Sequence, residues 1–237
     1  MAKRLTRKKL KQKDEFLTVA ERIIAAGTGH KTFLIIIAIS LIFIGIFSSI
    51  GFYYYKDYTK RGSIAYSHGL HLYDVATQTK NKNDINNALN AFEAFRNNFN
   101  FLNTSKIALF YIGNCEYLLN NYDKAISDYQ EFISTWGSNN RYLISIAKNG
   151  IIQSYMAQHD CKDAMPIIQE LINQEDNPLV ELTYLHATDC LLQLNQPDKA
   201  VTLLQQGIKK YSINSAAYQQ LTALMTYAES EINKDKK

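Results

Sequence analysis

Cysteine and proline are scarce in this sequence of 237 residues, which holds three of each. Cys115, Cys161 and Cys190 are too few, and odd in number, for a disulfide framework. No CxxC pair and no Cys/His cluster indicates a metal site. A single bridge, for example from Cys161 to Cys190, would require a compartment outside the cytoplasm, and the sequence leaves the redox state of the cysteines open.

Catalytic motifs are absent as well. The sequence contains no glycine-rich phosphate loop, no GxSxG, no HExxH and no Cys/His nucleophile pattern. His68 and His71 would share one helix face, but no carboxylate at matching spacing accompanies them, so we interpret them as surface or packing histidines. The sequence therefore predicts no catalytic, metal-binding or cofactor-binding residue, and it does not favour an enzyme.

Excess positive charge is confined to the N-terminus. Residues 1–32 hold nine Lys/Arg and three Asp/Glu, whereas the remaining residues hold 17 and 19. No aromatic residues interleave the basic ones, so a nucleic-acid-binding tail is not favoured. In a membrane protein such an arm retains the N-terminus in the cytoplasm. Apolar residues between 16 and 24 recur at helical spacing and predict a short amphipathic helix on the inner membrane surface.

A long apolar run follows the arm at residues 33–55. It contains no charged residue over 23 positions and ends in Phe52 and three tyrosines. A helix of this length crosses a hydrocarbon core of about 30 Å, and aromatic rings favour the headgroup layer. A cleavable signal peptide is the alternative, but the run is longer than its usual apolar region and a long arm precedes it. We expect one uncleaved transmembrane helix.

Residues after the apolar run have a helical pattern throughout. Apolar residues recur every three or four positions, and strand-like alternation is missing. A motif of a small residue followed by an apolar stripe recurs at intervals of 37, 39 and 36 residues, beginning at Ala88, Ala125, Ala164 and Ala200. The last three copies follow polar turns, in which an aspartate one or two places before the alanine is expected to cap the new helix: Asp123, Asp163 and Asp198.

The second copy resembles the tetratricopeptide repeat. On the 34-position scheme of that family, positions 4, 7, 8, 20, 24 and 27 are held by Leu109, Ile112, Gly113, Ala125, Tyr129 and Phe132. The sequence departs from the family at position 11, which is Glu116 instead of an aromatic residue, and at position 32, which is Gly137 instead of proline. The resemblance implies helix pairs that stack into an α–α superhelix with an open concave surface.

These observations predict an all-α protein with four segments. Residues 1–32 form the basic arm and residues 33–55 the transmembrane helix. Residues 56–82 form a linker and the first helix of the solenoid. Residues 83–237 form the repeat domain, which brings the total to about four helix pairs and ends in a capping helix near residues 213–232.

The resemblance also implies a partner-binding groove. Positions 2, 5, 9 and 12 of each first helix face the concave surface in that family, and here they are Ile107, Phe110, Asn114, Tyr117, Ile146, Asn149, Gln153, Met156, Leu182, Leu185, Asp189 and Leu192. Apolar walls with amide groups suit an extended or helical segment held by side-chain burial. The alternative is that an inserted helix, the C-terminal helix or a second copy of the chain in a homo-oligomer covers these positions.

The whole arrangement is similar to that of the YfgM-like family, the ancillary subunit of the bacterial Sec translocon. The resemblance implies a single-pass inner-membrane protein with a cytoplasmic N-terminus and a periplasmic domain. It further implies protein partners, namely translocon subunits, a periplasmic foldase or exported chains, and a chaperone-like scaffold as the function. A structural adaptor in an envelope or cell-division complex, with one dedicated partner, is the alternative.

Overall fold

A computed structural model describes residues 31–136, 140–174 and 177–234. The predicted basic arm and its amphipathic helix lie outside these ranges, apart from Lys31 and Thr32. The described residues form nine helices: α1 Lys31–Thr79, α2 Lys82–Asn98, α3 Asn103–Leu118, α4 Tyr122–Trp136, α5 Arg141–Ala157, α6 Cys161–Asn173, α7 Val180–Gln193, α8 Pro197–Ile208 and α9 Ala216–Lys234. They contain no strand, so the prediction of an all-α protein is confirmed.

Helix α1 carries the apolar run. It has 49 residues, and its apolar part is long and apolar enough to cross a membrane. The chain divides into two compact units between Tyr58 and Thr59, a boundary that falls within this helix. The first unit holds the apolar part of α1, and the second unit holds the last part of α1 together with α2 to α9.

The second unit is built from successive helix pairs, as the repeat pattern predicts. The last part of α1 pairs with α2, α3 with α4, α5 with α6, and α7 with α8, after which α9 packs against both α8 and α7. The first helix of a pair also contacts the first helix of the next pair, since α3 touches α5 and α5 touches α7. The predicted superhelix of four pairs with a final capping helix is therefore confirmed.

The turn inside each pair has the same backbone conformation. One residue per turn has a positive φ between 51° and 64°, and the four residues are Lys80, Asn120, His159 and Asn195. A left-handed residue one or two places after the first helix reverses the chain, and asparagine and histidine adopt this conformation more readily than lysine. The repeat is thus visible in the backbone even where its side chains differ.

The aspartates predicted as caps lie within the first turns of their helices, and Asp123 does so in α4. Asp163 and Asp198 lie inside the first turns of α6 and α8 instead of preceding them. The cap of α6 is Asp160, whose Oδ1 accepts a hydrogen bond from the Asp163 amide over 3.2 Å, and α8 begins at Pro197. Inside the first turn the carboxylates still interact favourably with the positive end of the helix dipole.

The repeat residues form the core of the second unit. The four alanines that begin the motif are fully buried, and so are Leu109, Tyr129 and Phe132 of the second repeat. Alanine at these positions lets neighbouring helices approach closely because a larger side chain would occupy the contact. A disulfide joins Cys161 at the start of α6 to Cys190 in α7, with 5.1 Å between the two Cα atoms.

Candidate protein-interaction surface

The predicted groove residues all lie on α3, α5 and α7, the helices that contact one another from pair to pair. Eleven of these side chains are half-buried and Leu185 is exposed. Half-buried side chains suit a contact surface. Their exposed atoms can contact a partner in place of water while their buried atoms stay packed in the core. Whether this surface binds a partner remains a prediction.

On α3 the predicted residues rest on the core of the second repeat. The Phe110 ring lies 5.7 Å from the Tyr129 ring and 5.6 Å from the Phe132 ring, centroid to centroid. The Tyr129 hydroxyl donates a hydrogen bond to Oδ1 of Asn114 over 2.7 Å. Asn114 therefore positions a buried phenol as well as facing the surface, which limits how freely it could rearrange around a ligand.

The first helix pair contributes aromatic residues that the groove prediction omitted. The Tyr73 ring on α1 lies 5.2 Å from the Tyr111 ring on α3, and Tyr111 stacks on Phe92 at 5.0 Å. Burial, and after it the neighbouring Tyr111, raises the pKa of Tyr66 to about 12. The Tyr66 phenol therefore stays neutral at physiological pH. The tyrosines that follow the apolar run could have indicated this aromatic cluster. The first repeat, however, lacks the residues needed to align it with the 34-position scheme.

On α7 the predicted residues border a cleft. Leu182 and Leu185 line it together with residues of the same segment and of α9, namely Pro178, Leu179, Glu181, Gln220, Ala223 and Leu224. The cleft has a volume of about 600 Å³ and a predominantly apolar wall. The C-terminal helix thus adds a second wall beside these positions and leaves Leu185 accessible, a relation that the sequence pattern could not decide.

Asp189 lies one helical turn beyond Leu185 on the same face of α7. Burial raises the pKa of its carboxyl above the ordinary value. No hydrogen bond or ion pair connects this carboxylate to the described residues. The predicted groove therefore holds one half-buried acidic group without a compensating cation.

A second concavity, missed by the sequence analysis, lies between α2, α3 and α4. It has a volume of about 420 Å³ and a polar wall that includes Glu93, Arg96, Glu116, Lys124 and Asp128. The side chain of Glu116 is buried, with Oε2 accepting from Asn121 over 2.6 Å and Oε1 lying 3.4 Å from Lys124 Nζ. These partners explain how a glutamate replaces the usual aromatic residue at position 11.

Two further reactive side chains, Cys115 and His186, are enclosed. Burial raises the pKa of the Cys115 thiol to about 12, so this free cysteine stays protonated. His186 is buried, and its Nδ1 has no hydrogen-bond partner; burial also lowers its pKa. Within the described ranges no group of three or more His, Cys, Asp or Glu could hold a metal ion.

Comparison with known proteins identifies the repeat and the fold. A family model described as tetratricopeptide repeat matches residues 107–137, which include most of α3 and all of α4. Two solved structures of TPR-like repeats assigned to a kinesin light chain of Podosopora anserina, one of them with a point substitution, match with a TM-score of 0.55 and 10% identity. Each match covers 72% of this chain. It covers 89% of the matched chain in one structure and 90% in the other. A comparison with curated proteins found no match.

These similarities establish a tetratricopeptide-like helical fold. Proteins of this fold present surfaces to protein partners and do not catalyse by virtue of the fold itself.

Proposed function

We propose that this protein is a membrane-anchored adaptor whose tetratricopeptide-like domain binds protein partners outside the cytoplasm. The observation that carries the proposal is the series of first helices α3, α5 and α7, which presents half-buried apolar and amide side chains next to one another. Such a surface buries apolar side chains of a partner and meets its backbone with amide groups. The twelve groove residues would supply these contacts.

The anchor is the apolar part of α1. Its isoleucine, leucine and phenylalanine side chains are exposed to the surroundings of the helix. Exposure of a long apolar run is unfavourable in water and favourable in lipid, so the helix fits a bilayer. The excess of basic residues before it supports a cytoplasmic N-terminus.

The disulfide supports the compartment. Cys161 and Cys190 are joined, and disulfides persist in oxidising compartments such as the bacterial periplasm. Together with the charge asymmetry, this favours an inner-membrane protein with a periplasmic domain. The resemblance to the YfgM-like family narrows the proposed role to a chaperone-like scaffold at the Sec translocon, where partners would be translocon subunits, a foldase or exported chains.

Photocrosslinking in bacterial cells tests this proposal. A photoreactive residue replaces Phe110 on α3 or Ile146 on α5, with Lys162 on the second helix of a pair as the control position. Adducts with translocon subunits and with many exported chains are expected from the first two positions only. A single partner would instead support a dedicated envelope adaptor, and cytoplasmic adducts or none would contradict the proposed function.

A further inference from the structure

The cleft between α7 and α9 combines an apolar wall with an excess of negative charge. Its apolar side chains come from both sides and include Leu179 just before α7, Leu182 and Leu185 of α7, and Leu224 of α9. Leu185 is 37% exposed and belongs to the apolar surface that these side chains form together. With a volume of about 600 Å³, the cleft has room for several side chains of an incoming segment.

The charges on its two helices are almost all of one sign. Glu181 lines the cleft, and Asp189 lies two turns further along the same face of α7. Leu185 lies between them, four residues from each. Helix α7 contains no Lys or Arg, and the first cation of α9 is Lys234 at its last position. The other titratable groups of α7, Tyr184 and His186, are buried and uncharged at neutral pH, since burial raises the pKa of Tyr184 and lowers that of His186.

Asp189 is a half-buried anion, and no hydrogen bond or ion pair joins its carboxylate to another described residue. Burial raises the pKa of its carboxyl, which means that the surroundings disfavour the charged form. A lysine or arginine arriving with a partner would relieve this cost, whereas an acidic residue would increase it.

We propose that the α7–α9 cleft binds an apolar segment of a partner polypeptide that carries Lys or Arg beside its apolar side chains. The apolar side chains would cover Leu185 and its neighbours, and the basic groups would lie next to Glu181 and Asp189. This inference rests on the proposed function, because it names the chemistry of the partner at one part of the groove.

The same charge pattern argues against the other occupants. A second copy of the chain that docked through the same face would place its own Glu181 and Asp189 near the first pair, which is unfavourable between like charges. The C-terminal helix is already one wall of the cleft and leaves Leu185 exposed. A segment from another protein that is both basic and apolar would offset the negative charges of the cleft and cover Leu185.

Peptide binding to the full-length protein in nanodiscs of zwitterionic lipid tests the proposal. The probe is a fluorescein-labelled, leucine-rich peptide with lysine at both ends, and its matched control has glutamate at both ends. Empty nanodiscs correct for lipid binding. Fluorescence anisotropy is expected to show about fivefold tighter binding of the lysine peptide, as two partly exposed charge pairs would give.

Two variants separate the contribution of charge from that of the apolar contact. Combining Glu181→Gln with Asp189→Asn is expected to remove the preference for lysine while binding of the glutamate peptide persists. Leu185→Asn is expected to weaken both peptides about fivefold, because an apolar contact is lost. The matched controls are Ile213→Asn, another exposed apolar residue, and Asp198→Asn, an exposed acid of α8. Both controls are expected to bind like the parent protein.

Equal affinity for the two peptides, or binding that Leu185→Asn leaves unchanged, would overturn the proposal. The absence of binding would also overturn it. So would a crosslink between two copies of the chain when a photoreactive residue replaces Leu185. Circular dichroism of each variant separates loss of binding from loss of fold. This assay does not depend on Phe110 or Ile146, so a failed cleft and a failed adaptor function give different results.

Discussion

The ring of Tyr129 lies directly against the backbone of Gly150. A Cβ placed on Gly150 would be 2.6 Å from Cζ of that ring, and one placed on Gly113 would be 2.9 Å from its Cε1. Tyr129 of α4 thus fills the space that two glycines leave between α3 and α5. Its hydroxyl reaches past them to Asn114. The junction of the second and third repeats depends on this fit.

Replacing Gly150 with alanine is expected to lower the free energy of unfolding of the repeat domain by about 1–3 kcal/mol. The added methyl group would overlap the phenol ring, which cannot move without losing its hydrogen bond to Asn114. Urea denaturation followed by circular dichroism measures the change. Gly51→Ala is the control, since no heavy atom lies within 4 Å of its added Cβ. An unchanged midpoint for Gly150→Ala would show that the helices separate easily.

Removing the disulfide is expected to lower the free energy of unfolding by about 3 kcal/mol. The bond joins residues 29 positions apart and so restricts the conformations of the unfolded chain. The test compares the double variant Cys161→Ala with Cys190→Ala against the parent protein, with and without reductant. Reductant should lower the unfolding midpoint of the parent and leave that of the variant unchanged. Cys115→Ala should keep the response to reductant, since Cys115 is a free thiol. If reductant left the unfolding midpoint of the parent protein unchanged, the result would contradict the presence of the disulfide.

Asp128 is expected to make the domain less stable at neutral pH than at mildly acidic pH. Burial, then the charges of Glu116 and Glu131, raise its pKa to about 6, while Arg96 lowers it. Because the fold favours the protonated form, this group contributes most stability below about pH 4 and loses that contribution as pH rises through 6.

Asp128→Asn should therefore raise the free energy of unfolding above pH 6 by about 1 kcal/mol, a figure that allows for solvent screening of a half-exposed group. The gain should disappear near pH 4. Urea titrations at several pH values measure both effects, and Glu229→Gln, at an exposed position of α9, serves as the control. A gain that is independent of pH would refute the electrostatic origin.

Lys80→Gly is expected to stabilise the first helix pair by about 0.5–1 kcal/mol. Lys80 has a φ of 51°, a conformation that costs a lysine more than a glycine. Thermal unfolding measures the gain. Asn195→Gly, at the equivalent turn of the fourth pair, should gain less because asparagine tolerates this conformation. A larger gain at Asn195 than at Lys80 would contradict this account.

Several features were accessible from sequence because they depend on local periodicity. The spacing of the repeat alanines predicted the helix pairs, and the apolar run predicted a helix that could cross a membrane. The cap of α6 was assigned one turn too late, to Asp163 instead of Asp160, since both residues are chemically suited to cap and only the helix start distinguishes them. The groove residues follow from the family scheme and remain predictions.

Other features depend on contacts between residues far apart in the chain. The apolar run, the basic arm and the repeat period were determined by the sequence itself, because each is a property of neighbouring residues. The burial of Glu116, the wall that α9 adds beside Leu185 and the pairing of Cys161 with Cys190 were decided only by the tertiary structure. Each of these requires helices that meet after the chain has reversed at a turn, and residue order alone does not specify where they meet.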